Sequence, residues 1–195
     1  FHKNTFEYLN YNIYNYNIDD VWGGIEYDKK IWPEGFFACT PATSKSDKFA
    51  DSMSVMCYMN ISETEKWKNT HNTIAKPDDR GVEYETFKKE NEEKILKVLE
   101  EVFPDIRKKI KNTYSSTPLT FRDYIGNYDG SLYGILKDSN DPMRSFINPK
   151  TKIPNLFLTG QNLIFHGILG VTIGAFVTSF LFVDRKKIID KVKSL

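Results

Sequence analysis

The stretch that most constrains the fold is 155–175, which reads NLFLTGQNLIFHGILGVTIGA. A short apolar run at 156–158 ends at Gly160, and a longer apolar run reaches Val183 after glycines at 167, 170 and 174. The order strand, glycine turn and helix brings backbone N–H groups close to a ligand at a helix N-terminus. We therefore expect a strand at 156–158, a glycine turn, and then a helix.

The same stretch has a second interpretation, as a membrane span. Leu163–Val183 carries no formal charge and is long enough to cross a bilayer. Against a span, the polar ring of His166 is costly in hydrocarbon, and Gly167 and Gly170 weaken the first helical turns. The helix is therefore expected to start near Gly170 and to be too short to span. A non-enzymatic lipid-binding or membrane-anchored module that uses the 163–183 segment is kept as the alternative function.

Charge and cysteine usage exclude several classes of protein. Lys and Arg number 27 against 26 Asp and Glu, so no basic excess points to nucleic acid. The two cysteines, Cys39 and Cys57, are predicted to be buried free thiols, because two cysteines make neither a disulfide framework nor a metal site. The histidines lack metal-ligand spacing, so no metal site is expected.

The first half of the chain predicts a mostly antiparallel sheet and one long helix. Strands are predicted at Tyr14 to Ile18, Gly35 to Thr40 and Ser52 to Ile61. The pair Gly23-Gly24 breaks the pattern after the first strand. A sheet of this kind has one apolar face. Apolar residues on one stripe predict a helix over 84–103, whose charged residues form its solvated face.

The second half is richer in turns. Thr113 to Thr120 is predicted to be extended, and glycines at 126, 130 and 134 punctuate the segment that follows. Past Val183 the helix is expected to continue as Asp184 to Val192, with its lysines facing water.

The residues 155–176 resemble the C-terminal flavin-binding segment of the phytoene-desaturase-type FAD oxidoreductases, which carry a strand, Thr-Gly-Gln and then glycines that open a helix. An ordered series of upstream motifs is similar to the retinol saturase branch of that family: Arg80-Gly81-Val82-Glu83-Tyr84-Glu85 with Lys88, Val102-Phe103-Pro104, Thr117-Pro118-Leu119-Thr120, and Gly130-Ser131-Leu132-Tyr133-Gly134. The ordered set, rather than any single motif, is specific.

The resemblance implies an α+β chain taken from a protein that is α/β overall. Residues 1–116 would be part of a substrate-binding domain, with a mixed, largely antiparallel sheet and helices. Residues 117–195 would return to a Rossmann-like FAD-binding domain and supply its C-terminal strand and helix. The G-x-G-x-x-G fingerprint is absent from all 195 residues and the chain opens at Phe1, so we expect a C-terminal fragment whose partner is the missing N-terminal dinucleotide-binding half. The alternative is a protein that has lost cofactor binding. Alone, the chain is expected to bind FAD weakly or not at all and to be inactive.

The implied function is that of an FAD-dependent oxidoreductase, a desaturase or saturase acting on a conjugated apolar substrate such as a carotenoid or retinoid, with NADH or NADPH as an electron donor. Residues expected to bind the flavin are Gly160, Gln161, Asn162, Gly167, Ile168, Leu169, Gly170 and Val171. His166 is the candidate catalytic residue, against the alternative of a turn histidine bonded to backbone. Three tyrosines are candidates to line the substrate channel or to pack in the core: Tyr124, Tyr128 and Tyr133. A cytoplasmic location is expected, with peripheral membrane contact left open.

Overall fold

The computed structural model describes residues 1–21, 26–42, 45–77 and 79–194. The chain divides into two compact units, Phe1–Gly130 and Ser131–Leu195. The boundary therefore lies at Gly130, and residues 117–130 belong with the first unit. The pair Gly23-Gly24, predicted to interrupt the first strand, lies outside the described residues.

A three-stranded antiparallel sheet lies in the first unit, with strand order β1-β2-β3. Its strands are β1 (Ile13–Tyr16), β2 (Gly35–Cys39) and β3 (Ser54–Met56). Each strand occupies a stretch where alternation predicts one, but each is shorter than predicted.

The two faces of this sheet differ in their environment. On the inner face, Ala38 lies between Ile13 and Val55 in register and is fully buried. On the outer face, Tyr14, Phe37 and Met56 form a row across the three strands, and the Tyr14 and Phe37 rings lie 5.1 Å apart. Tyr14 and Met56 are exposed, so this face carries an apolar row in contact with solvent.

The inner face packs against helix α1 (Val82–Val102) and the short helix α2 (Ile106–Lys109). α1 covers nearly the whole predicted 84–103 helix and ends just before Pro104, which cannot continue a helix. Burial of an apolar stripe drives this packing. The core of the first unit consists of Phe6, Phe36, Ala38, Ala50, Leu99 and Ile106.

Helix α3 (Pro118–Ile125) corrects the prediction that residues 113–120 are extended. Pro118 occupies the first helical turn, where a missing N–H costs nothing. The Thr120 hydroxyl accepts a hydrogen bond from the Thr117 N–H at 3.3 Å, and Gly126 ends the helix in the left-handed region at φ 83°. Extended backbone therefore stops at Thr117.

The second unit contains a 3-10 turn at Pro142–Ser145 and two helices, α4 (Gly167–Ser179) and α5 (Arg185–Lys193). The predicted continuation of one helix through Asp184 is wrong. The Asp184 carboxylate accepts hydrogen bonds from the N–H groups of Lys186 and Lys187, at 2.8 and 3.3 Å, and so begins a new helix. Within the described ranges, no helix is long and apolar enough to cross a membrane.

The two cysteines are free thiols, as predicted, but both are partly buried rather than fully buried. Cys39 lies opposite Ser54 on the outer face of the sheet. Cys57 comes two residues after Val55 and therefore lies on the same inner face as Val55. They therefore cannot form a disulfide with each other in this fold. Burial raises the pKa of the Cys57 thiol to about 12.

Candidate functional site

The glycine turn, residues 159–170, is entered without a strand. The apolar run 156–158 makes only an isolated antiparallel bridge between Phe157 and Lys150, and the Leu158 N–H donates to the Pro149 carbonyl at 2.8 Å. The predicted strand at 156–158 is therefore wrong. An extended run needs a neighbouring strand to satisfy its backbone groups, and here the neighbour supplies one residue.

Helix α4 lies directly on the start of this turn. The Gly160 carbonyl lies 3.8 Å from the point where a Cβ on Gly174 would be, and the Thr178 hydroxyl donates to the Leu158 carbonyl at 3.1 Å. Gly160 itself has a φ of +111°, a conformation that glycine adopts without penalty. Gly174 thus serves close packing of the helix on the turn.

Asn162, predicted to contact the cofactor, is occupied by bonds within the unit. Its side-chain oxygen accepts from the Ile135 N–H at 3.1 Å, and a Cβ on Gly134 would lie 1.8 Å from that oxygen. The neighbouring Gln161 is partly buried. Asn162 therefore holds the 134–135 backbone against the glycine turn.

Lys137 holds the glycine turn in place through hydrogen bonds to backbone carbonyls. The sequence does not predict this role. Its ammonium donates to the carbonyls of Ser145, Asn162 and Leu163 at 3.0, 2.9 and 3.1 Å. A lysine carries three donors, and here all three are used on backbone. The only hint in the sequence is one lysine after the apolar pair at 135–136, which is too weak to predict this role.

The N-terminus of α4 presents uncapped backbone donors. No side chain caps the helix at His166, and Gly167 has a φ of +77°. Ile168 and Leu169 are 91% and 74% exposed. A Cβ on Gly170 would lie 2.5 Å from the Phe165 Cβ, so a larger residue does not fit there without movement. The partial positive charge of a helix N-terminus is thus left open to an electron-rich group.

One aromatic pair lies beside this helix end. The rings of His166 and Tyr133 are 4.4 Å apart, and both side chains are exposed. Of the three predicted substrate-lining tyrosines, Tyr133 alone belongs to the second unit. Tyr124 lies in the first unit, where its hydroxyl accepts from the Ile74 N–H at 3.0 Å, and Tyr128 there is 95% exposed.

Several residues of the upstream motifs meet in a buried cluster of the first unit. The Tyr84 hydroxyl and the Thr117 hydroxyl are 2.7 Å apart, and the Arg80 guanidinium lies 5.1 Å from the Tyr84 ring centroid. Arg80 also bonds the carboxylate of Asp123, and these two side chains are 4% and 0% exposed. Residues of two of the upstream motifs, 80–85 and 117–120, therefore have a structural role here, because they tie α1 to α3.

The Asp123 carboxylate is the electrostatic centre of that cluster. Besides Arg80, it accepts bonds from the Asn72 N–H at 2.8 Å and from Arg122 Nε at 2.8 Å. Burial acts to raise the pKa of Asp123, but the hydrogen bonds from Asn72, Arg122 and Arg80 outweigh it and hold this pKa below its usual value. The carboxylate is therefore ionised and serves to neutralise buried arginine.

Comparison with known proteins gives partial matches. No protein-family model and no solved structure matches this chain. The chain is 32% identical over 109 residues to the all-trans-retinol 13,14-reductase of Rattus norvegicus, which is 54% of this chain and 18% of that protein. To the protein of the same name from Danio rerio it is 28% identical over 157 residues, 79% of this chain and 23% of that protein. The matched region thus spans about a fifth of the length of these relatives, and the chain is similar to one part of the all-trans-retinol 13,14-reductases.

Proposed function

We propose that this chain is part of an FAD-dependent oxidoreductase that adds or removes hydrogen at a carbon–carbon double bond of a conjugated apolar molecule of the retinoid or carotenoid type. The observation that carries the proposal is the similarity to all-trans-retinol 13,14-reductase over 79% of the chain. The matched relatives are named for a reaction on all-trans-retinol, and the proposal extends that class of substrate to this protein.

The N-terminus of α4 fits one end of a flavin. Uncapped N–H groups after His166 suit the electron-rich pyrimidine side of the ring. A Cβ on Gly167 would meet nothing within 4 Å, so the approach at this glycine is free of side chains. The diphosphate end has no comparable cradle, because no G-x-G-x-x-G is present in the sequence. In the proposal this chain therefore holds the ring end, with Gly160 and Gln161 toward the ribityl chain.

FAD, when bound, supplies hydride transfer, and the protein supplies binding, orientation and exclusion of water. Backbone donors at 167–170 stabilise negative charge on the ring. The exposed apolar side chains of Ile168 and Leu169 would exclude water from the ring once it is bound beside them. His166, whose ring lies 4.4 Å from the Tyr133 ring at a tilt of 39°, is positioned to hold or pass a proton at its imidazole nitrogen.

The decisive experiment uses the complete open reading frame that encodes these residues. We expect the purified product to carry flavin absorbance that NADH or NADPH bleaches under anaerobic conditions, with all-trans-retinol tested as substrate by product chromatography. We also expect the 195-residue chain alone to bind FAD weakly. A full-length product without flavin absorbance would refute the proposal. A 195-residue chain that retains tightly bound yellow cofactor would refute the predicted half-site.

A matched pair of glycine variants tests the location of the ring. Gly167 and Gly126 both have positive φ, at +77° and +83°, and a Cβ at either would meet nothing within 4 Å. Gly167→Ala and Gly126→Ala therefore carry similar backbone strain, of order 1–2 kcal/mol. We expect Gly167→Ala alone to lower the flavin content of the full-length protein. Equal flavin content in the two variants would contradict the proposal that the flavin ring binds at the α4 N-terminus.

The role of His166 is tested separately. We expect His166→Gln to reduce turnover while flavin content is unchanged. Turnover equal to that of the unchanged protein would leave His166 as a turn residue.

A further inference from the structure

The segment between α4 and α5 places an apolar turn beside a cluster of cations. Leu181, Phe182 and Val183 follow the end of α4 and are 45%, 62% and 45% exposed. They are consecutive in sequence and lie outside both helices. The Phe182 ring also contacts the Phe157 ring, with centroids 4.5 Å apart, so the turn is packed on its unit and still exposes apolar surface. Three adjacent, partly exposed apolar side chains mark a candidate contact surface.

Cations begin immediately after this turn. Helix α5 carries Arg185 and four lysines against the single acid Asp190, a net charge of +4 over nine residues, whereas the whole chain has a net charge of +1. With Asp184, which caps the helix, the net charge of residues 184–193 is +3. The five cations, all exposed, are Arg185, Lys186, Lys187, Lys191 and Lys193.

One contact places a cation beside the turn. The Arg185 guanidinium lies 5.6 Å from the centroid of the Phe180 ring, at the edge of the apolar turn. Ile188 and Ile189 are partly buried, whereas the cations of α5 are exposed. The apolar and cationic groups are therefore presented together.

We propose that residues 181–193 form a peripheral docking surface for an anionic lipid bilayer. Leu181–Val183 would enter the boundary between headgroups and acyl chains, and the cations of α5 would contact lipid phosphates and carboxylates. Shallow apolar insertion combined with cations is the pattern by which proteins attach to anionic membranes without crossing them. Such a surface would bring the protein to the membrane, where a water-insoluble substrate is concentrated, but the surface itself does not depend on the proposed enzyme activity.

The charge arm of the test measures binding of the 195-residue chain to vesicles by flotation. We expect binding to phosphatidylcholine vesicles that contain phosphatidylserine, weaker binding to pure phosphatidylcholine, and release by salt. Lys186→Gln/Lys187→Gln should weaken binding by about 30-fold, which corresponds to about 1 kcal/mol for each cation removed. The control Lys89→Gln/Lys97→Gln changes two lysines of α1 in the first unit and should leave binding unchanged. Equal losses in the two double variants, or no preference for phosphatidylserine, would overturn the proposal.

The insertion arm places a reporter in the turn. Phe182→Trp should show blue-shifted emission on binding and quenching by brominated lipid, whereas Tyr128→Trp, at a 95% exposed position of the first unit, should show neither. Phe182→Ser should weaken vesicle binding while circular dichroism remains unchanged. Quenching at position 128 but not at 182 would show that lipid binds elsewhere and would refute the surface.

Discussion

Replacing Asp123 with asparagine should be among the most destabilising single changes in the first unit. The substitution keeps the size of the side chain but removes the negative charge that faces Arg80 and Arg122, whose side chains are 4% and 19% exposed. Removing one partner of a buried ion pair leaves an uncompensated charge and typically costs about 3–5 kcal/mol. Exposed ion pairs, by contrast, contribute about 0–1 kcal/mol.

The measurement is urea unfolding followed by tryptophan fluorescence. All three tryptophans precede residue 130, and Trp67 packs on Tyr84 at 5.1 Å, so the signal reports the first unit. With a slope of about 2 kcal/mol/M, Asp123→Asn should lower the midpoint by about 1.5–2.5 M. The matched control is Asp105→Asn, which changes an exposed pair with Lys108 and suits the left-handed backbone there. A cost below about 1 kcal/mol for Asp123→Asn, or one equal to that of the control, would refute the reasoning.

Acid provides an independent check on the same carboxylate. Because the folded state lowers the pKa of Asp123, its contribution to stability is complete above the unfolded pKa of about 3.9 and is lost as the pH falls through the lower folded pKa. The asparagine variant has no such group to titrate. The difference in unfolding free energy between the two proteins should therefore narrow below about pH 4, and a constant difference down to pH 2 would contradict the assignment.

Three further predictions concern other parts of the chain. Gly130→Ala should cost about 2–4 kcal/mol of unfolding free energy, because the φ is +66° and the new Cβ would lie 2.4 Å from a backbone carbonyl oxygen. Lys137→Met should reduce hydrogen-exchange protection of α4, because three backbone carbonyls lose a charged donor worth at least about 1.5 kcal/mol. Cys57 should alkylate at pH 8 about a thousandfold more slowly in the folded chain than in urea, because burial raises its pKa to about 12 and the thiolate is the reactive form.

The first two of these predictions have a control variant in the same chain. Gly126→Ala adds strain without a clash and should cost less than Gly130→Ala, so equal costs would exclude the steric explanation. Lys152→Met removes an exposed lysine and should leave α4 protection unchanged, whereas equal loss of protection would contradict the role of Lys137. Alkylation of folded Cys57 at the rate found in urea would show that the thiol is not buried.

The sequence predicted elements whose signal is local and periodic. α1 follows from its apolar stripe and from Pro104, and the three strands follow from alternation of apolar and polar residues. α3 was missed although Thr117, Pro118 and Gly126 are standard start and stop signals of a helix. Threonine, serine and proline also favour extended chain, and for that reason the composition of Thr113 to Thr120 predicts an extended segment.

Elements that depend on distant partners were not predictable in this way. The apolar run at 156–158 has the composition of a strand, but a strand needs a paired neighbour, and only Lys150 pairs with it. At the candidate site, Lys137 donates hydrogen bonds to carbonyls that lie 8 to 26 residues away in the sequence. Such separations follow no helical or strand period, so the sequence pattern does not predict them. The start of α4 at Gly167 lies three residues before the predicted start near Gly170.

The outer row of the sheet, Tyr14, Phe37 and Met56, has a consequence for handling the protein. Both edge strands are short, four and three residues, so few backbone groups are left to template strand addition. Self-association of this unit should then proceed by reversible face-to-face stacking rather than by growth of ordered fibres. Light scattering that falls on dilution, without thioflavin fluorescence, would be its signature, and Met56→Lys would be the natural solubilising change for crystallisation.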